Sequence, residues 1–388
     1  HVKYPDHIKD GKVLTEYMPF DPAVYVAEDK RVYLYYGFSP KGMLLTKEEL
    51  IAQGKSEEEA EAMIQVIATL PKSPGAMVVE LEPDMVTIKG EPEMMIPGGD
   101  IGGGTQYEGH AFFEASSMRK VGDKYYFVYS SELSQELCYA TSDYPDRDFT
   151  YGGILVSNGD IGYQGNYWPQ NMIGNNHGGM VEINGDWYVF YHRQTHGTEF
   201  SRQGCAEKLT ILEDGSIPQV ERTSCGLNAA PLTTPGSYPA VIASTLTCKN
   251  NSTKLVLNKP EVDGIPYIYE EAQEDGTTTH YIANIIDTVL VGYKYFDFQG
   301  VTRMDLVIRG TAKGVLKIYQ SDKHSMSYQK DHLEIGPKDI LAGEVCLDAE
   351  GNDWMQVSVP VDMRDGEYGL FFYYEGEGAF ALKSFEIY

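Results

Sequence analysis

Glu114 has the surroundings in this sequence that best suit acid–base chemistry. It follows two phenylalanines in the segment Tyr107–Ser131, YEGHAFFEASSMRKVGDKYYFVYSS, and precedes a β-prone run, Tyr125–Ser130. A carboxyl group held against apolar rings at the end of a strand tends to stay protonated near neutrality, and it can then donate a proton. The alternative is a glutamate exposed in a loop between strands, so the other candidate residues are considered with it.

Two further residues could share a site with Glu114. Asp21 opens a strand in FDPAVYV, and His177 lies in GNNHGG just before a hairpin. Cleavage of a glycosidic bond needs a carboxylic acid that protonates the leaving oxygen and a carboxylate that activates water or attacks. Glu108, in a Glu-Gly pair six residues before Glu114, is the rival acid.

Short strands joined by turns must position these residues. The sequence contains 12% aromatic residues, with 29 Tyr, 40 Gly and 19 Pro, which favours an all-β fold. Asn184-Gly185 separates two apolar runs and predicts a hairpin with a type I′ turn. An aromatic strand recurs as VYLYY, YYFVY and WYVFY, the periodicity expected for blades of a β-propeller.

Composition predicts where this pattern is interrupted and where it ends. Two short helices are expected within an insertion at about residues 46–70, because Thr46 with Glu49 and Ser56 with Glu59 each fit a capping box. We predict a propeller over residues 1–228, a Pro- and Thr-rich linker over 229–241, and a β-sandwich or jelly roll over 242–388. The expected sandwich strands include Arg303–Arg309, Gly314–Gln320, Gly369–Tyr374 and Ala379–Ile387.

Charge and cysteine usage exclude several classes of protein. With 31 basic and 57 acidic residues the formal charge is −26, which repels nucleic acid and is compatible with a neutral sugar ligand. The five cysteines have no zinc-ligand spacing. The sequence has no apolar run long enough to span a membrane and no signal peptide, so localisation stays open between cytoplasm and export.

Four segments resemble the glycoside hydrolase family 43 enzymes, the five-bladed β-propeller β-xylosidases and α-L-arabinofuranosidases. In order along the chain they are FDPAVYV with RVYLYYG (Phe20–Gly37), FEASSMRKVGDKYYFVYSS (Phe113–Ser131), GNNHGGMVEINGDWYVFYHR (Gly174–Arg193) and SRQGCAEKL with DGSIPQVERTSCG (Ser201–Gly226). GYKYFDF at Gly292–Phe298 resembles the family-6-like carbohydrate-binding sandwich that is often appended to such enzymes.

The resemblance implies an inverting hydrolysis with three carboxylates. Glu114 stands at the position of the general acid, and Asp21 matches the acidic residue that tunes that acid. The general base precedes Asp21 in the family, and no matching segment does so here. We therefore expect this chain to lack the first blade and the base Asp, either as a fragment of a complete enzyme or as a descendant that lost the base.

The resemblance also implies roles for neighbouring residues. His177 matches a histidine near the propeller axis that helps to hold Ca²⁺, partly through waters; otherwise it is a turn histidine. Trp168 is a candidate sugar-stacking platform or a core aromatic. Arg193 is a candidate hydrogen-bond donor to substrate hydroxyls or a strand-end ion-pair partner. Phe113 is expected in the pocket wall around Glu114.

The sequence thus predicts hydrolysis of terminal pentosyl bonds in xylan or arabinan oligosaccharides, with an oligosaccharide or polysaccharide as partner. The alternatives are a non-catalytic carbohydrate-binding protein derived from such an enzyme, and a structural β protein without affinity for sugars.

Overall fold

A computed structural model describes residues 8–9, 12–13, 19–40, 46–52, 55–69, 72–174, 176–198, 200–228, 230–249, 251, 262–322 and 326–388. The chain divides into two compact units that interleave in sequence. The first comprises His1–Val156, Asn175–Tyr191 and Leu209–Gln219, and the second comprises Ser157–Gly174, His192–Lys208 and Val220–Tyr388.

Strands β1 to β13 precede the C-terminal sheet. They are Ile8–Lys9 (β1), Lys12–Val13 (β2), Ala23–Val26 (β3), Val32–Tyr36 (β4), Gly75–Leu81 (β5), Ile88–Pro97 (β6), Phe112–Val121 (β7), Lys124–Ser131 (β8), Glu136–Ser142 (β9), Thr150–Ser157 (β10), Gly178–Ile183 (β11), Asp186–Gln194 (β12) and Arg202–Leu209 (β13).

The blade pattern predicted from the aromatic strands is present in the first unit. Two four-stranded sheets have the orders β3-β4-β5-β6 and β10-β9-β8-β7. All five residues of β4 are buried, as expected for a strand that is covered on both faces. β11 pairs with β12 across Asn184 and Gly185, both at positive φ, as the predicted hairpin turn requires.

The predicted helices are present between β4 and β5. They are Lys47–Ala52 (α1) and Glu57–Thr69 (α2). Ser56 and Glu59 cap α2 reciprocally: the Glu59 N–H donates to Ser56 Oγ at 3.2 Å, and the Ser56 N–H donates to Glu59 Oε2 at 2.9 Å. The predicted pairing of Thr46 with Glu49 lies outside the described side chains.

The second unit contains most of the remaining strands in one ten-stranded sheet. The strands after β13 are Leu232–Thr233 (β14), Gly236–Pro239 (β15), Thr245–Thr247 (β16), Tyr267–Ala272 (β17), Thr278–Ile285 (β18), Leu290–Phe298 (β19), Arg303–Ser321 (β20), Ser327–Gln329 (β21), His332–Glu334 (β22), Ile340–Ala349 (β23), Met355–Pro360 (β24) and Gly366–Ile387 (β25). Together with the blade-type sheets this confirms the predicted all-β class.

Two long strands replace four predicted short ones. β20 and β25 pair from Met304↔Ile387 to Ser321↔Gly369, with one register shift between Val307 and Ile308. The ladder continues through Gly310, where the sequence predicts a turn between two strands. A Cβ at this position would lie 2.5 Å from the Ala379 carbonyl oxygen. Glycine here allows close backbone approach and does not mark a turn.

The stretch 229–241, for which the sequence predicts a linker, contains two strands of this sheet. β14 pairs in parallel with β19, with Leu232 opposite Phe296, and β15 pairs antiparallel with β25. Prolines are tolerated at the ends of such short strands because few ladder hydrogen bonds are lost there. This segment therefore pairs into the sheet although its residues have low strand propensity.

Candidate active site

Glu114 lies on β7 between two interruptions of strand pairing. The ladder between β7 and β8 shifts register between Phe112 and Glu114 and again between Glu114 and Ser117. The next residue, Ala115, has φ +66°, a conformation that costs energy for a residue with a Cβ. Bulges of this kind redirect a side chain, and the Glu114 side chain is 8% exposed.

His177 contacts both carboxylates that the sequence analysis selected. Its Nε2 lies 2.5 Å from Glu114 Oε1, and its Nδ1 lies 3.4 Å from Asp21 Oδ2. The His177 and Asp21 side chains are 23% and 29% exposed, so the group is reachable from solvent. We call Asp21, His177 and Glu114 the acid cluster.

Two glycines after His177 allow this approach. A Cβ on Gly178 would lie 2.0 Å from the Phe190 carbonyl oxygen, and one on Gly179 would lie 2.5 Å from Ser117 Oγ. Ser117 is on β7, three residues after Glu114. Gly179 therefore lets β11 lie close against the strand that carries the acid, and Gly178 lets it lie close against β12.

Aromatic rings flank the strand that carries Glu114. Phe113 packs on Phe38 with ring centroids 5.6 Å apart, and Phe38 packs on Phe20 at 5.0 Å. Phe112 instead points into the core of the first unit and contacts Phe127 at 6.2 Å. The predicted wall residue Phe113 is thus part of an aromatic row next to the acid, and its contact with sugar stays a prediction.

Glu108 is placed differently from Glu114. It is exposed in the loop before β7, and its Oε2 accepts a hydrogen bond from the Gly104 N–H at 3.0 Å. Its backbone N–H donates to the Thr105 carbonyl oxygen. Glu108 therefore stabilises a loop, whereas Glu114 is buried beside an imidazole.

Trp168 and Arg193 lie in the second unit. The Arg193 guanidinium is buried and donates to the carbonyl oxygens of Val241 and Ala243, each at 2.7 Å, and to Gln203 Oε1 at 2.7 Å. Trp168 is half-buried against the small apolar cluster formed around Tyr328. Their predicted roles in substrate binding stay predictions.

A partly exposed histidine beside β7, paired with a buried glutamate, was not found by sequence reasoning. His110 Nδ1 lies 2.6 Å from Glu136 Oε1, and the same oxygen accepts the Ser131 hydroxyl at 2.6 Å. The hydrogen bond to Glu136 raises the pKa of His110. Because the Tyr129 hydroxyl also donates to the His110 carbonyl oxygen at 2.9 Å, the pair anchors the loop that leads into the acid strand.

The acid cluster does not fit a calcium ion that is held by protein ligands alone. Calcium takes six to eight oxygen ligands, whereas these three side chains bring together two carboxylates and one imidazole. Both ring nitrogens of His177 face those carboxylates. Calcium stays a prediction, and no chemical step is derived through it.

The geometry suits proton donation from a buried carboxyl group. The His177 ring lies between the two carboxylates, so it brings Asp21 into the same cluster as Glu114. Neither described helix is long and apolar enough to cross a membrane.

Comparison with known proteins shows which protein family this chain resembles in sequence. Residues 3–217 match the family described as glycosyl hydrolases family 43. A xylosidase/arabinosidase of Thermoclostridium stercorarium is 40% identical over 391 aligned positions, which cover 100% of this chain and 73% of that protein. A xylosidase/arabinosidase of Bacteroides ovatus is 32% identical, with 56% of this chain and 62% of that protein covered.

Among solved structures, an arabinoxylan arabinofuranohydrolase of Bacillus subtilis aligns with a TM-score of 0.41 and 21% identity. The alignment covers 97% of this chain and 70% of that one. The family match extends over more than half of this chain, and the alignment with the Thermoclostridium relative covers the whole of this chain. The chain therefore belongs to glycoside hydrolase family 43.

Proposed function

We propose that this protein hydrolyses terminal pentosyl O-glycosidic bonds in xylan or arabinan oligosaccharides, with inversion at the anomeric carbon. The observation that carries the proposal is the buried Glu114 carboxyl group, held beside His177 on a doubly bulged strand. The relatives of this chain are named xylosidase/arabinosidase, which supports pentosides as the substrate class.

In this mechanism Glu114 protonates the leaving oxygen as the glycosidic bond breaks. Asp21 acts on Glu114 through His177, which it approaches to 3.4 Å. Inversion further needs a carboxylate that activates water on the opposite face of the sugar, about 6.5–9.5 Å from the acid. The prediction that this base lies outside the given chain stays a prediction.

The test exchanges each candidate acid for its amide in a protein that also carries the segment predicted to hold the base. Glu114→Gln is expected to lower kcat on xylobiose by about 10²–10⁴-fold, the range for loss of a general acid. The loss should be far smaller on a dinitrophenyl xyloside, whose leaving group departs without protonation. Steady-state kinetics on the two substrates measures the difference.

Glu108→Gln is the matched control, because it removes an exposed carboxylate six residues away from Glu114. It should leave the rates on both substrates unchanged. Rescue by the activated leaving group in the Glu108 variant alone would show that the acid has been assigned to the wrong residue.

The competing proposal is a carbohydrate-binding protein without catalysis. It follows if a protein that also carries the segment predicted to hold the base binds xylo- or arabino-oligosaccharides but releases no pentose from them. Titration calorimetry with xylohexaose, followed by chromatography of the same mixture, separates the two outcomes.

Calcium binding is tested separately. Calorimetric titration of the metal-free chain with CaCl₂ should give a heat that His177→Ala removes if the ion binds at the acid cluster. An unchanged heat would place any bound calcium elsewhere.

A further inference from the structure

His110, Glu136 and Cys138 form a group of side chains that the proposed reaction does not use. Their candidate ligand atoms, which are a ring nitrogen, a carboxylate oxygen and a thiol sulfur, all lie within 4.8 Å of one another. All three residues belong to the first compact unit, and none is part of the acid cluster. Imidazole, carboxylate and thiolate are the three kinds of side-chain ligand that bind zinc in proteins.

Strand β9 holds two of these ligands. Glu136 and Cys138 are alternate residues of this strand, so their side chains point to the same face of the sheet. Both residues are buried. The Ser131 hydroxyl on β8 donates to Glu136 Oε1 at 2.6 Å and orients the carboxylate. The two ligands are therefore positioned before any ion binds.

The third ligand comes from the loop 98–111, which leads into β7. The His110 ring stacks on the Tyr151 ring, with the centroids 5.3 Å apart and 13° between the ring planes. The His110 side chain is 31% exposed, so solvent and ions can reach the group from this side. The imidazole thus lies between solvent and two buried ligands.

The distances within the group are close to those of a tetrahedral zinc site. Zinc bonds of about 2.0–2.3 Å place the ligand atoms about 3.3–3.8 Å apart. Cys138 Sγ lies 3.4 Å from Glu136 Oε1, which is already within this range. His110 Nδ1 lies 2.6 Å from the same oxygen, so it must move outward by less than about 1 Å. A partly exposed imidazole on a loop can make this movement.

Charge and ligand type select the ion. Glu136 is buried, and no lysine or arginine in the described part of the chain forms an ion pair with it. A buried carboxylate favours a cation beside it. Zn²⁺ held by one carboxylate, one thiolate and one neutral imidazole is uncharged as a whole. Calcium and magnesium prefer oxygen ligands, so the thiol and the imidazole select zinc.

We propose that His110, Glu136 and Cys138 bind a zinc ion. Cys138 loses its thiol proton to solvent on binding, and His110 coordinates through Nδ1 with its proton on Nε2. Three protein ligands leave the fourth tetrahedral position to a water molecule. The ion ties the loop 98–111 to β9 and so stabilises the segment that precedes the acid strand. The site does not depend on the proposed glycosidase activity.

The test is a titration of the full, reduced chain with Co²⁺, which occupies zinc sites and reports on its ligands by absorption. A thiolate bound to Co²⁺ gives a charge-transfer band in the near ultraviolet, and tetrahedral geometry gives strong visible bands. We expect both in the unmodified chain. Added Zn²⁺ should abolish them, and excess Ca²⁺ should not. The acid cluster contains no thiol, so cobalt bound there cannot give the thiolate band.

Two variants each remove one ligand. His110→Asn keeps a hydrogen-bond donor for Glu136 but loses the imidazole. It should weaken Co²⁺ binding by about 100-fold or more, because loss of a residue that merely supports a metal ligand already costs about 10–100-fold. Cys138→Ser should abolish the thiolate band. Because Cys138 is buried, circular dichroism checks that this variant folds, and His110→Asn keeps the test valid if it does not.

Cys346→Ser is the matched control, since Cys346 is an exposed thiol on β23 outside the group. It should leave the cobalt spectrum unchanged. Zn²⁺ should also raise the midpoint of thermal unfolding of the unmodified chain and of this control, but not of His110→Asn, because an ion that binds only the folded state stabilises it. Absence of the thiolate band, or a band that survives both His110→Asn and Cys138→Ser, would overturn the proposal. So would loss of the band in Cys346→Ser alone.

Discussion

At the scale of single residues, the unexpected finding is the position of His177. Sequence reasoning proposed that Asp21 and His177 could share a site with Glu114, and it assigned His177 either to calcium binding or to a turn, without a direct contact to Glu114. The contact between His177 and Glu114 joins positions 63 residues apart in the chain. Such a contact depends on how strands pack, which neither local spacing nor side-chain type determines.

This contact predicts that His177 and Glu114 act as one unit. His177→Asn should lower kcat on xylobiose by about 10²-fold, because the acid loses the partner that orients it. In the Glu114→Gln background, His177→Asn should lower kcat only slightly further, since the carboxyl proton that Glu114 would donate is already absent. Kinetics of the two single variants and the double variant measure the coupling.

His280→Asn is a suitable control because His280 is exposed on β18 in the second unit. It should change neither rate. Multiplicative losses in the double variant, equal to the product of the single losses, would mean that His177 and Glu114 act independently.

At the scale of elements, the approach of β11 to β7 sets the geometry of the acid cluster. Gly179→Ala would place a Cβ 2.5 Å from Ser117 Oγ. We expect a loss of about 1–3 kcal/mol in the free energy of unfolding, the usual cost of overpacking, with a fall in kcat as His177 is displaced. Urea unfolding and kinetics on xylobiose measure the two effects.

Adding Ser117→Ala to Gly179→Ala should restore part of both losses, because it removes the atom that clashes. Gly204→Ala on β13 is the control, since a Cβ there meets nothing within 4 Å. If Ser117→Ala rescues neither stability nor rate, close approach of the strands is not what the glycine provides.

A buried glutamate on β13 gives stability a defined pH dependence. Burial raises the pKa of Glu207 to about 7 from its ordinary value of 4.5, although Thr223 donates two hydrogen bonds to it. The folded state therefore holds a proton that the unfolded state has released. Stability contributed by this group falls as pH rises from about 4.5 to about 7.

Glu207→Gln should reduce the loss of stability between about pH 4.5 and pH 7. Urea unfolding at pH 4.5 and pH 7.5 should show a smaller difference in unfolding free energy for the variant than for the unmodified chain. Equal differences in the two proteins would show that Glu207 does not titrate in this window.

At the scale of the whole molecule, net charge opposes folding. The formal charge is −26 at pH 7 and the isoelectric point is about 4.7. Salt screens repulsion between exposed charges, with a Debye length of about 10 Å at 0.1 M. We expect the midpoint of thermal unfolding to rise between 0.05 and 0.5 M NaCl at pH 7, and to rise much less at pH 5 where the net charge is small. The same salt response at both values would argue against self-repulsion.

Some structural features could be predicted from the sequence, and others could not. The aromatic strands, the Asn184-Gly185 hairpin and the Ser56 cap were predictable because each depends on residues close in sequence. The continuous ladder through Gly310 and the sheet pairing of β14 were not, since both depend on contacts with distant strands.

The pairing of β25 also constrains how the second unit is synthesised. This strand pairs with β15, β18, β19 and β20, so it holds together strands that precede it in the chain. The sheet therefore cannot be completed until residue 387 has left the ribosome, long after the segment 157–174 of the same unit has emerged. The strands that pair with β25 are synthesised before it, and their edges stay unpaired until it emerges. This unit is therefore the part of the nascent chain most dependent on protection from aggregation.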